Sequence, residues 1–167
     1  MPGDVGTTVR LAPAVGRSLD GTTFRLPTEL PAELTLVLLA FKQRQQPEVD
    51  RWIELAIDLG VTASPYAANL PLHRVVVEVP VLGRRYLPAR RMIDGGMASG
   101  IGDPVALART ITVYTDVATY QRRCGLPTRG EVNALLARRD GSVSFHAVGP
   151  PGPTARASLR QALTEAT

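Results

Sequence analysis

A chain of 167 residues suits one domain with a sizeable core and room for one insertion or extension. With 44% hydrophobic and 20% charged residues it is not a disordered polymer, and with only 5% aromatics its core must be mainly aliphatic. The formal charge of +4 comes almost wholly from arginine, Lys42 being the only lysine, and global basicity without aromatic platforms argues against a nucleic-acid surface.

Residues 1–22 carry Pro, Gly and Thr with little periodicity, and Asp20-Gly21 is a turn signal that predicts a short hairpin between Thr7–Leu11 and Thr22–Leu26. Thr35–Phe41 is a continuous apolar run of strand length, the pattern of a strand buried on both faces. A polar loop, Lys42 to Gln46, leads to Pro47 at a first-turn position. Val49, Trp52, Ile53, Ala56 and Leu59 then recur at helical spacing, with Glu48 and Asp50 at the positive end of the helix dipole and Gly60 as its stop. Arg74–Val79 reads as a second buried strand, stopped by Pro80. A helical stretch from Arg84 to about Ser99 is expected, interrupted or ended by Pro88 and Gly95-Gly96.

Asp103-Pro104 opens a short turn or helix, and Thr110–Tyr114 is a third strand. Thr115-Asp116 can cap a brief helix over Val117–Arg123, broken by Gly125-Leu126-Pro127. Val132–Ala137 and Ser142–Val148 flank Arg139-Asp140-Gly141 as an antiparallel hairpin. Pro153 to about Ala166 closes the chain as a helix. Strands joined through helices are expected to be parallel, with right-handed crossovers, and the closing hairpin to make the sheet mixed.

The run Gly21 to Trp52 resembles the opening unit of the thioredoxin superfamily: an Asp-Gly turn, a short strand, then a buried strand feeding a long helix. Arg139-Asp140-Gly141-Ser142-Val143 through Gly149 is similar to its closing hairpin. The resemblance implies an α/β, three-layer thioredoxin-like sandwich with a central mixed sheet and an N-terminal β-hairpin, organised as a 1–20 extension or hairpin and a 21–167 domain. A narrower likeness covers roughly residues 22–165. The segment Arg90-Arg91-Met92-Ile93-Asp94-Gly95-Gly96-Met97-Ala98-Ser99-Gly100-Ile101, followed by Arg109 to Asp116, resembles the mitochondrial F-type ATP synthase assembly-factor family. That likeness implies a chaperone role on a membrane subunit.

Thioredoxins place C-x-x-C where the first buried strand meets its helix; here the Gln43–Gln46 region fills that place without a thiol. Redox-active members also carry a cis-proline just before the closing hairpin strand, where this chain has Val132 or Asn133. Cys124 is the only cysteine, so neither an intramolecular disulfide nor a C-x-x-C redox or zinc motif exists. Arg122 and Arg123 precede it, and cations lower a thiol pKa, but a helix C-terminus disfavours an anion.

His73 and His146 have no metal-ligand spacing, and the standard phosphate-loop, dinucleotide and hydrolase signatures are absent, so no metal and no cofactor are expected. Two places remain as candidate sites. One is Arg90, Arg91, Asp94, Gly95 and Gly96, with Arg84 and Arg85 upstream: glycines permit unusual backbone angles, and guanidinium forks suit carboxylate or phosphate. Asp94 can equally cap a turn or pair with one arginine. The other is Gln43, Arg44, Gln45 and Gln46, ahead of a helix N-terminus that can hold an anion or peptide carbonyls; the same four residues can equally form a solvated loop.

No apolar run approaches the roughly 20 residues that cross a bilayer, and Met1-Pro2-Gly3-Asp4 lacks a secretory n-region, so a cytoplasmic location is expected. The expected function is a redox-inert binding or assembly protein whose partner is a polypeptide or a small anionic ligand. The alternatives are a single-thiol peroxidase or thiol transferase using Cys124, and an accessory role on a membrane complex.

Overall fold

The computed structural model describes residues 8–65 and 74–166. The expectations that touch Met1–Asp4, Thr7 and His73 lie outside the described residues. Strand β3 (Leu34–Ala40) is the buried run expected at the centre. It pairs in parallel with β4 (Arg74–Gly83) on one side and antiparallel with β6 (Asn133–Arg138) on the other. Outward from β4 lie β5 (Ile111–Thr115), β1 (Ala14–Ser18) and β2 (Thr23–Leu26), and outward from β6 lies β7 (Val143–Val148). The resulting seven-stranded sheet is mixed: β3, β4 and β5 run parallel, and both hairpins add antiparallel strands.

Alternation along β3 splits its side chains between two cores. Leu34, Leu36 and Leu38, with Val76 and Leu136, pack against Val49, Trp52, Ile53 and Ala56 of α1 (Gln46–Asp58) and Leu159, Ala162 and Leu163 of α5 (Pro153–Glu165). Val37 and Leu39, with Val77, Val79, Ile111 and Val113, face Tyr120 and Cys124 of α4 (Val117–Cys124) together with Leu11, Ala12, Leu30 and Ala32. Each fully buried Leu or Val contributes about 1.5–3 kcal/mol, so these two aliphatic faces supply the main drive for three layers. Trp52 adds a polar tie: its Nε1 donates to the Gly149 carbonyl at 2.8 Å, while its ring meets Phe145 edge-on at 6.1 Å.

Three local expectations need correction. The first arm of the N-terminal hairpin is β1, Ala14–Ser18, rather than Thr7–Leu11. The Asp20-Gly21 turn accounts for this: a tight turn joins strands that abut it, and Arg17 pairs with Thr23 directly across it. Strand β1 also pairs with β5, and it does so at Gly16, where a Cβ would lie 2.5 Å from Ile111 Cγ2, so only glycine fits that approach.

Pro80 does not stop β4, which runs to Gly83. The proline sits where the pairing with β3 ends, at Ala40, and continuous pairing with β5 begins, at Val81, so its missing N–H interrupts no continuous ladder. Gly95-Gly96 neither interrupts nor ends the helix after β4. A 3-10 turn over Arg84–Ala89, containing Pro88, leads into α2 (Arg90–Ile101), and both glycines lie inside that helix. The short helix α3 (Pro104–Arg109), capped by Asp103, returns the chain to β5.

Candidate functional site

In open α/β sheets ligands gather outside the carboxyl ends of the parallel strands. Here that edge carries the turn after β3, the Arg84 turn after β4, and the Asp116 cap of α4 after β5. Facing them is the loop 125–132, which enters β6. A short 3-10 turn, Gln43–Gln45, replaces the expected open loop and runs straight into α1. Gln43 and Arg44 are exposed, whereas Gln45 is 1% exposed.

The Gln45 amide bridges the edge. Its Oε1 accepts from the Phe41 N–H at 2.8 Å, and its Nε2 donates to the Arg129 carbonyl at 2.8 Å. Nearby, Glu48 Oε2 accepts from the Val132 N–H at 3.1 Å, so the carboxylate in the first turn of α1 is already bonded to the facing loop. Above the Gln45 bridge lies an open groove of about 530 Å³, lined by Phe41, Lys42, Val117, Gln121 and the Pro127–Gly130 loop. Asp116, which precedes the lining residue Val117, caps α4 with its carboxylate through the Thr119 N–H at 2.8 Å; that bond, with Arg122 and Arg84 nearby, holds it below the ordinary carboxylate range.

The arginine–aspartate segment is organised differently. Asp94 points at β5: Tyr114 Oη donates to its Oδ1 at 2.7 Å, Thr112 Oγ1 donates to its Oδ2 at 3.1 Å, and Arg90 Nε lies 3.4 Å from Oδ2. The Arg90 guanidinium also sits 5.1 Å over the Tyr114 ring. Burial, reinforced by Asp94, pushes the Tyr114 phenol well above its usual range. Asp94 therefore fastens α2 to the sheet, the pairing role weighed above for it. Arg91, Gly95 and Gly96 lie on the exposed side of α2, and a Cβ at either glycine would meet nothing within 4 Å. Arg85 stacks on its neighbour Tyr86. Among the described residues no hydrogen bond or salt bridge joins Gln43 or Arg44 to Arg90, Arg91 or Asp94.

Cys124 is fully buried at the end of α4. Its Sγ accepts from the Ala12 N–H at 3.4 Å, and burial raises its pKa against the opposing pull of that bond, Tyr120 and Arg123. His146 is half-buried, with Nε2 2.9 Å from Asn133 Oδ1. Asn133 Nδ2 already donates to the Thr128 and Glu131 carbonyls, so its Oδ1 accepts and His146 Nε2 carries the hydrogen. No cluster of three metal-ligating side chains occurs among the described residues.

Residues missed from sequence include the groove cations Lys42 and Arg129, and Glu78; Gln45 is among the sequence candidates, but as a loop ligand rather than as a buried bridge. Glu78 is 6% exposed on β4, and burial raises its carboxyl above the ordinary range while Thr110, Arg109 and Gln46 oppose the shift. A carboxylate inside the run Arg74–Val79 was the available signal for that site. Which of the four residues Gln43 to Gln46 forms the bridge has no such signal, because they look alike until the loop 125–132 folds against them.

No family model matches the chain, and no curated protein matches it by sequence. Solved structures match its fold. The pneumococcal exposed lipoprotein thioredoxin Etrx1 from Streptococcus pneumoniae strain TIGR4 is 13% identical, with a TM-score of 0.56 over 92% of this chain and 99% of that one. BsSco, a member of the Sco family of cytochrome c oxidase assembly proteins, is 12% identical, with a TM-score of 0.56 over 96% and 95% of the two chains. Arabidopsis thaliana ScoI, solved with copper bound, is 8% identical, with a TM-score of 0.57 over 92% and 98%. At such identities the likeness concerns the fold, which is thioredoxin-like.

Proposed function

We propose that this chain is a redox-inert thioredoxin-like binding or assembly protein, which holds a polypeptide or a small anionic ligand at the carboxyl edge of its parallel strands. The observation that carries this reading is the Gln45 bridge. Where the superfamily resemblance would place paired cysteines, a buried amide ties Phe41 to Arg129 and leaves an open groove above it. An amide that only accepts and donates hydrogen bonds can position a loop but cannot cycle electrons.

The sole thiol is not part of that groove's lining; it is buried and raised in pKa, the opposite of the exposed setting that makes a cysteine a nucleophile. This weighs against the peroxidase or thiol-transferase alternative. Assembly work is within the reach of the fold, since BsSco belongs to a family of assembly proteins. The likeness of residues 90–101 to the ATP synthase assembly factors supplies a narrower form, with a membrane-complex subunit as partner. No helix among the described residues is long and apolar enough to cross a membrane. We place the protein in the cytoplasm, with no metal or cofactor of its own.

The test pairs a chemical and a binding assay. The pure protein is expected to give no catalytic turnover in insulin reduction, and Cys124→Ser to match wild type in peroxide consumption. Lys42→Trp, which projects a large ring from an exposed position across the groove, is expected to remove specific partners from a lysate co-purification. Turnover of insulin, or a partner set unchanged by Lys42→Trp, overturns the reading. Association with membranes only when the synthase is present is the outcome expected of the narrower form.

A further inference from the structure

The groove above Gln45 has a neighbour. A second cavity of about 600 Å³ is lined by Val9, Arg122, Gly125, Leu126, Pro127 and His146. Pro127 lines both, so the two cavities adjoin at this proline, just beyond the end of α4, and a ligand that crosses it would follow one path.

The charges along that path share one sign. Lys42 and Arg129 line the first cavity and Arg122 lines the second; all three are exposed, and no carboxylate is among the described lining residues. None of the three takes part in a salt bridge among the described residues, and Arg122 Nη2 donates only to the neutral Thr119 hydroxyl, at 3.1 Å. Carboxylates stand close to the path without lining it: Asp116 and Glu48 accept from the Thr119 and Val132 N–H groups and keep their charge, and exposed Glu131 follows the lining residue Gly130. Between the cations stand apolar side chains, Phe41 and Val117 in one cavity and Val9 and Leu126 in the other.

We propose that an extended, acidic polypeptide segment lies along this path, its carboxylates meeting Lys42, Arg129 and Arg122 and its apolar side chains entering the two cavities. The inference rests on the binding reading above and names the class of partner. Extended peptides suit such a surface because successive side chains alternate, which lets carboxylates and apolar groups take separate partners. A second copy of this chain is a poor occupant, since each carries a formal charge of +4. Single-stranded nucleic acid binds through stacking on aromatic faces, and among the described residues Phe41 is the only aromatic ring other than the imidazole of His146 that lines the path.

The experiment measures fluorescence anisotropy of three labelled probes against the full chain: an alternating Glu-Thr peptide of about ten residues, which spans about 33 Å when extended, its Lys-Thr counterpart, and an oligothymidylate of similar length. At about 10 mM ionic strength, where screening is weak, the Glu-Thr peptide is expected to bind and the Lys-Thr peptide not to. Arg122→Glu and Arg129→Glu are each expected to weaken binding by about fivefold, with unfolding midpoints unchanged because both side chains are exposed.

Equal binding of the two peptides, abolished by Lys42→Trp, rejects acidic selectivity while leaving the groove reading intact. An effect of Arg129→Glu without one of Arg122→Glu confines the peptide to the first cavity and overturns the two-cavity path. Tighter binding of oligothymidylate rejects the polypeptide in favour of nucleic acid. No peptide binding together with a lysate partner set unchanged by Lys42→Trp removes both the inference and the reading beneath it.

Discussion

Replacing Asp94 with alanine is expected to unfasten α2 from β5. The carboxylate accepts from Tyr114 at 2.7 Å and from Thr112 at 3.1 Å, and it faces Arg90 at 3.4 Å. A part-buried hydrogen bond to a charged group is worth about 1.5–3 kcal/mol. The Arg90 pair, with side chains 26% and 16% exposed, adds no more than about 0.5 kcal/mol after solvent screening. These partners share one carboxylate and do not add independently, so Asp94→Ala should cost about 2–4 kcal/mol.

For a chain of this length each kcal/mol moves the midpoint by about 2–4 °C, which gives a fall of roughly 4–16 °C. Asp94→Asn keeps one carbonyl acceptor and should lose about half as much. Urea titration followed by the fluorescence of Trp52, the only tryptophan, reads the global loss, and hydrogen exchange over residues 84–109 reads local release of α2. A phenol titration supplies a third readout: without Asp94, Tyr114 should ionise at lower pH, because one cause of its raised pKa is gone. A variant within about 0.5 kcal/mol of wild type, with exchange and phenol titration unchanged, would refute the clamp and return Asp94 to the pool of ligand-binding candidates.

Gln45→Ala should cost about 2–3 kcal/mol, because it orphans the Phe41 N–H and the Arg129 carbonyl, and it should loosen the loop 125–132; unaltered stability and exchange there would reject the bridge. Glu78→Gln should flatten the dependence of stability on pH. The native state holds the Glu78 proton more tightly than the unfolded chain does, so stability is fully present below the ordinary carboxylate pKa of about 4.3 and is lost as pH rises through the raised one. Urea midpoints measured across that window for both proteins check this, and parallel curves would count against it. Cys124 should react with a thiol reagent only as fast as the protein opens, so that sub-denaturing urea accelerates labelling; rapid labelling of the native protein would contradict its burial.

Much of the scaffold was readable because its signals are local. The apolar run at 35–41, the helical spacing from Val49 to Leu59, the Arg139-Asp140-Gly141 turn and the final helix each announce themselves within one window of residues, and the structure contains them with boundaries moved by a residue or two. The glycine pair misled for the converse reason. Each glycine costs a helix about 1 kcal/mol, which argues for a break, but Asp94 and its partners across the sheet hold α2 through that penalty. Those partners, Thr112 and Tyr114, lie 18 and 20 residues away on alternate positions of β5, so no reading of the helix segment reveals them.

Amino-acid order alone determined that this chain cannot form an internal disulfide, because one sulfur has no partner, and that its core is a sheet of buried aliphatic strands flanked by amphipathic helices. Only the tertiary structure decided what the polar residues do. Hydrogen bonds and ion pairs act over a few ångströms, and whether Gln45 meets Arg129, or Lys42 and Arg122 border one path, depends on segments about 80 residues apart arriving at the same edge.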